Sequence, residues 1–176
     1  MDLIQNQIKN DSLAIGIIRP TIGYGPGDVR PGFLDLFRLI KKRMFIPIGK
    51  GTNYFHTIFI DNLVDAIVLA ATHKNAAGRD FIIGDDPCPT MKEIVQMIAE
   101  AEEVRLHSFH LPTRLAFFIG RSFDIIQKLG LPSLLITKRV RFVTENRKFS
   151  INKAKRVLGY RPRVDLREGI RRTLQW

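Results

Sequence analysis

The residues best placed to serve a ligand are Arg19-Pro20-Thr21-Ile22-Gly23-Tyr24-Gly25-Pro26-Gly27-Asp28. An apolar run, Leu13-Ala14-Ile15-Gly16-Ile17-Ile18, precedes them and reads as a buried strand; Gly-Pro-Gly reads as the sharp loop after it. A strand that ends in a glycine-rich loop is a common way for an α/β sheet to offer backbone to a ligand. Tyr24 suits either a substrate cleft or a packed loop. His56 could donate to a ligand or sit satisfied at a strand start. Arg139, Arg141 and Arg147 could grip an anionic cofactor or substrate, or simply face solvent. His107 and His110 have no third ligand near them in sequence, so no metal is expected. Cys88 stands alone, which excludes an internal disulfide and a cysteine-based zinc site and fits a reducing, cytoplasmic compartment.

These groups need elements to position them. Residues 1–11 read as the end of a helix, followed by the strand at 13–18. Phe33, Leu36, Phe37 and Ile40 recur at helical spacing, with Lys41-Lys42-Arg43 in the closing turn, where cations suit the helix dipole. Residues 47–51 are a turn and 55–60 a short strand. Asp61 is expected to cap a helix with Leu63, Val64, Ile67, Val68 and Ala71 on one face. Gly78 ends that unit, Asp80 to Gly84 form a second short buried strand, and Asp85-Asp86-Pro87 form a turn. Thr90 and Glu93 make a capping box for a helix reaching about Glu103. Residues 104–111 look extended. Pro112 opens an amphipathic helix that stops at Gly130, with Leu115, Phe118, Ile119 and Ile126 on one stripe. That stripe suits core, a pocket wall, or a peripheral membrane contact. A short helix over 150–158 closes at Gly159, and a second capping box at Asp165 and Glu168 opens the last helix. Strands alternate with helices, so the class is α/β. Two strands buried on both faces, 13–18 and 80–84, do not make a stable sheet alone, so part of the sheet is expected to be missing.

The composition is that of an ordinary globular chain: 45% hydrophobic and 26% charged over 176 residues. The first residues have neither a basic start nor a long apolar core, so no signal peptide is read there. The net charge of +11 is uneven: residues 137–176 carry 13 Lys and Arg against 3 Asp and Glu. A solvated basic surface facing an acidic partner segment is the expectation. No nucleic-acid reader motif accompanies the charge, so no nucleic-acid partner is expected.

Four segments, in order, resemble the extended short-chain dehydrogenase/reductases, the NAD-dependent epimerase/dehydratase group. Arg19 to Asp28 is similar to that family's R-P-x-x-x-Y-G-P-G-D loop. Phe55 to Ala66 is similar to its H-x-x-Y-V-D-D-L-V-x-A segment. Phe81-Ile82-Ile83-Gly84 with Thr90 and Glu93 is similar to its Y-N-I-G … S/T-x-x-E segment. Ser150 through Leu158-Gly159-Tyr160-Arg161-Pro162 to Glu168-Gly169 and Trp176 is similar to its terminus. The resemblance implies the last strands of a Rossmann-type parallel sheet, from 1–30 and 61–90, plus a small mixed α/β substrate-binding lobe, from 31–60 and 91–176. The N-terminal cofactor-binding half is expected to be absent from this chain and to be its partner. The resemblance also implies NAD or NADP as cofactor, with Pro20, Thr21 and Ile22 on the cofactor side. Tyr24, His56, Arg141 and Arg147 are the residues it offers to a small-molecule substrate.

The family's G-x-x-G-x-x-G turn, where backbone meets pyrophosphate at a helix N-terminus, has no counterpart here. Nor has its Y-x-x-x-K pair: the residues four after Tyr24, Tyr54 and Tyr160 are Asp28, Ile58 and Val164. The expected role is therefore the substrate-binding portion of an oxidoreductase, epimerase or dehydratase acting on a secondary alcohol, inactive by itself. The alternative is a non-catalytic binding module using the basic C-terminal quarter. Ile22 stands where nucleotide-sugar members usually carry asparagine. Phe55 and His56 stand near their phosphate-binding arginine. Both departures argue against a typical nucleotide-sugar pocket. The Arg-Pro loop, Asn146-Arg147-Lys148-Phe149-Ser150 and the apolar helix near 112–129 resemble more the 3β-hydroxysteroid dehydrogenase-like branch, which handles oily alcohols and often sits on membranes. The expected substrate is a nucleotide sugar or a sterol-like alcohol.

Overall fold

The computed structural model describes residues 15–28, 32–128 and 137–176. The helix expected over 1–11, the start of the apolar run and the stop at Gly130 lie outside these residues. Four short strands are described: β1 (Ile17–Pro20), β2 (Ile22–Tyr24), β3 (Thr57–Phe59) and β4 (Asp80–Ile83). They pair in parallel twos, β1 with β4 and β2 with β3. The chain changes partner between Thr21 and Ile22. The Thr21 amide donates to the Ile83 carbonyl at 2.9 Å, and the Ile22 amide donates to the His56 carbonyl at 3.2 Å. This break divides one extended run into two strands.

Seven helices are described: α1 (Phe33–Lys41), α2 (Ile60–Thr72), α3 (Met91–Ala101), α4 (Thr113–Lys128), α5 (Thr137–Thr144), α6 (Asn152–Leu158) and α7 (Leu166–Gln175). Thr90 caps α3 as expected: its Oγ1 accepts from the Glu93 amide, and Glu93 Oε2 accepts from the Thr90 amide at 2.7 Å. Asp165 caps α7, accepting from the Glu168 amide at 2.8 Å. Glu168 does not complete that box, because its carboxylate holds Arg171 and Arg172 instead. Gly159 ends α6 at φ 67°, the left-handed cap that glycine adopts without a Cβ clash.

The structure corrects several expectations. The strand read at 13–18 is described from Ile17 and continues to Pro20, and Arg19 and Pro20 are exposed. The strand buried at every position is β3, not β1. α2 starts two residues early, with Phe59 as its N-cap, so Asp61 lies in the first turn rather than at the cap. There it acts on the helix dipole and pairs with Arg172 at 3.2 Å.

Two apolar clusters flank β3. One joins Tyr24, Phe33, Phe37, Phe55 and Phe59 to the inner faces of α3 and α7. The other joins Ile58, Phe81 and Ile83 to α6 and Tyr160. Gly169 lets α7 close on the first cluster, since a Cβ there would lie 2.4 Å from Tyr24 Oη. The face of α2 read from its spacing is not core throughout: Val64, Ile67 and Val68 are 50, 49 and 55% exposed. Among the described residues β1 pairs on one side only. An open strand edge beside an apolar helix face favours self-association. Val64→Glu with Val68→Glu should therefore slow aggregation, measured by light scattering, while changing unfolding stability by no more than about 0.5 kcal/mol per site. A loss above about 2 kcal/mol would mean that these valines are packed.

Candidate functional site

β1 and β4 end side by side where the chain changes partner and β2 begins; the C-terminal ends of parallel strands are where open α/β sheets place ligands. Asp85 lies one residue beyond β4, after Gly84, and is 3% exposed. Its carboxylate accepts from the Phe59 amide at 3.1 Å, from Asn62 Nδ2 at 2.8 Å and from Thr57 Oγ1 at 3.4 Å. Its own amide donates to the Thr57 carbonyl at 2.8 Å. Asn62 spends its remaining capacity on residues 163–164: Nδ2 donates to the Val164 carbonyl at 2.8 Å, and Oδ1 accepts from the Arg163 and Val164 amides. One carboxylate and one carboxamide thus join β3, the start of α2, the end of β4 and the loop before α7.

His56 belongs to the same node. Its Nδ1 accepts from the Phe149 amide at 3.3 Å, so Nε2 carries the proton and donates to the Asp85 carbonyl at 2.8 Å. Gly84 makes room for the ring, since a Cβ there would lie 2.5 Å from Nε2. Burial pushes the His56 pKa down and keeps the ring neutral. Burial also pushes the Asp85 carboxyl up to about 6, against the pull of its donors on Asn62, Phe59 and Thr57.

The residues offered to a substrate fall in different environments. Tyr24 is 2% exposed and packs edge-on against Phe33 and Phe59, a core position rather than a cleft. His56, also 2% exposed, has both ring nitrogens engaged inside the protein. Arg147 is half-buried. Its guanidinium donates to the Phe142 carbonyl at 2.8 Å, pairs with Glu145 and lies over the Phe55 and Phe142 rings. Arg141 is exposed and reaches the same Glu145 at 3.8 Å. Backbone contacts still bring His56 to Ile22 and to Arg147. Of the residues expected to face a cofactor, Pro20 is exposed, while Thr21 and Ile22 are half-buried and each donates its amide to the sheet. Thr21 Oγ1 is buried without a hydrogen-bond partner. Burial holds the Tyr24 and Tyr160 phenols far above their ordinary pKa, so neither moves a proton near neutral pH.

Asp85 and Asn62 are the site residues that sequence reasoning missed. The available signal was an acid directly after a short apolar strand, at Ile82-Ile83-Gly84-Asp85. A separate cavity of about 230 Å³ lies between residues 45–51, α3 and residues 106–110. Phe45, Ile48, Met91, Val95, Leu106 and Val143 form its apolar lining.

The Asp85 node makes two testable demands. Asp85→Ala should cost about 2–4 kcal/mol, because it strands the buried Phe59 amide and weakens the Asn62 anchor. Because the folded-state pKa of Asp85 is raised, its favourable contribution is present below about pH 4 and lost as pH rises through about 6. Asp85→Asn does not titrate, so the stability of the wild type relative to it should fall between pH 4 and pH 7. Urea midpoints across that range check the sign, and a difference that grows with pH would contradict it.

No protein-family model matches the chain. It is 32% identical over 171 residues to UDP-glucose 4-epimerase of Vibrio cholerae, covering 95% of this chain and 48% of that protein. It is 31% identical over 187 residues to a decarboxylating sterol-4-alpha-carboxylate 3-dehydrogenase of Saccharomyces cerevisiae, covering 100% of this chain and 53% of that protein. Among solved structures, UDP-glucuronic acid 4-epimerase of Bacillus cereus, in complex with UDP-glucuronic acid and NAD, superposes with a TM-score of 0.67 at 22% identity, over 99% of this chain and 48% of that one. At that identity the likeness speaks to the fold alone. The chain spans about half the length of the curated relatives it matches. Its motifs in their order, its short parallel strands and these relatives show that the chain belongs to the extended short-chain dehydrogenase/reductases, as a C-terminal part of that fold.

Proposed function

We propose that this chain is the substrate-side portion of an NAD(P)-dependent oxidoreductase or epimerase acting on a secondary alcohol, and that it is inactive by itself. The observation that carries this reading is the parallel strand ends at Pro20, Thr21 and Ile22 within a chain related to both epimerases and sterol dehydrogenases. The residues present suit one end of a dinucleotide. Pro20 offers an exposed apolar ring, and Thr21 Oγ1 is a buried hydroxyl with no partner. A pyrophosphate turn has no counterpart in the sequence. When bound, the nicotinamide supplies the hydride acceptor. The chain's own part is to fix the strand ends through the Asp85 node and to form a wall of the substrate site. The partner is a segment carrying the glycine turn and the Tyr-x-x-x-Lys pair. Titration of the isolated chain with NADH, followed by fluorescence, should show no saturable binding in the low micromolar range; such binding would overturn this reading.

A sterol-like substrate reached at a membrane surface is the branch we favour, on one observation. Phe118 on α4 is 72% exposed and Leu115 45%, with Arg114 and Arg121 exposed on the same helix. Among the described residues no helix is long and apolar enough to cross a membrane. Flotation with phosphatidylserine vesicles should show salt-sensitive binding that weakens in Phe118→Asp. Absence of binding at low and high salt would leave α4 without a membrane role.

A further inference from the structure

The cavity between residues 45–51, α3 and residues 106–110 has a chemistry of its own. Its lining combines an apolar floor with Lys50, Lys92, Gln96, His107 and His110, and contains no carboxylate. Elsewhere the lysines Lys41, Lys153 and Lys155 are matched by Glu102, Asp80 and Asp86. Among the described residues neither Lys50 nor Lys92 has a carboxylate within ion-pair distance. The histidines are oriented: His107 Nε2 donates to the Arg43 carbonyl at 2.9 Å, and His110 Nδ1 donates to the Ser108 carbonyl at 3.0 Å. The α3 N-terminus is already committed, since the Met91 and Lys92 amides donate to the Asn53 and Gly51 carbonyls. An anion here would therefore be met by side chains, not by a helix end.

We propose that this cavity binds a small apolar body ending in an anionic group, a carboxylate or a phosphate. The apolar floor supplies burial, and the lysines with Gln96 select the sign of the head group. At about 230 Å³ the space is below the roughly 300–1,000 Å³ of sites that enclose whole ligands, so it takes a ring or a short chain. A longer tail has apolar surface to follow: Ile46 and Phe109, each next in sequence to lining segments, are 47 and 63% exposed. The inference stands on the cavity alone and does not depend on the oxidoreductase reading.

The test is calorimetric titration of the 176-residue chain with octanoate, octyl phosphate, octanol and octylammonium, each below its micelle concentration. One or both anions should bind one-to-one, with octanol about tenfold weaker and octylammonium weaker still. Preference between octanoate and octyl phosphate tells the two anionic groups apart. Lys50→Gln with Lys92→Gln should weaken the anions about five- to tenfold and leave octanol unchanged. Val95→Phe should weaken every member of the series; the exposed lysine pair keeps the test readable if that variant does not fold. Equal affinity across head groups, or no loss in the lysine variant, would overturn the proposal. NADH binding bears on the proposed function only, so the two readings fail separately.

Discussion

A single buried carboxylate sets the geometry of this chain. Asp85 satisfies the first amide of the β3-to-α2 turn and holds Asn62, which in turn holds the backbone at 163–164. Without that side chain, donors from β3 and α2 would be buried unpaired, each costing on the order of 1–3 kcal/mol. His56 and Gly84 close the node from the other side, and the Tyr160 hydroxyl donates to the Gly84 carbonyl at 3.2 Å. Two strand pairs that share no ladder are thereby held in one arrangement, the β2–β3 pair starting where the β1–β4 pair ends.

The same economy governs the surface charge. Much of the C-terminal excess of Lys and Arg is answered by acids from earlier in the chain. Lys153 reaches Asp80, Lys155 reaches Asp86, Arg163 reaches Asp65, Arg167 reaches Glu100 and Arg172 reaches Asp61. Exposed pairs like these contribute little stability individually. Their arrangement shows that the uneven charge of the sequence is partly evened out by folding, which draws the basic quarter onto the rest of the chain.

What the sequence disclosed follows from range. Thr90, Asp165 and Gly159 act on residues within a turn, so their helix ends were legible from spacing. The four family segments were legible for the same reason, and they placed the fold. Locally Asp85 reads only as a turn residue, since its partners lie 23 to 28 positions away and those of Asn62 up to 102 positions away. Tyr24 and His56 carry types that serve ligands, yet they are enclosed by Phe33, Phe59 and Phe149, contacts that no local pattern encodes. Helix α5 was hidden by its composition: only Val140 along it is buried, so it lacks a clear apolar stripe.

If the Asp85 node holds the strand pairs together, its amides must open only with the whole domain. Native-state hydrogen exchange followed by NMR measures this directly. The Phe59, Asp85 and Val164 amides should be among the slowest to exchange, with opening free energies equal to that of global unfolding. Exchange of the Phe59 amide at the rate of an exposed loop, while the β1–β4 ladder stays protected, would show that the strand pairs are held independently and would contradict the account.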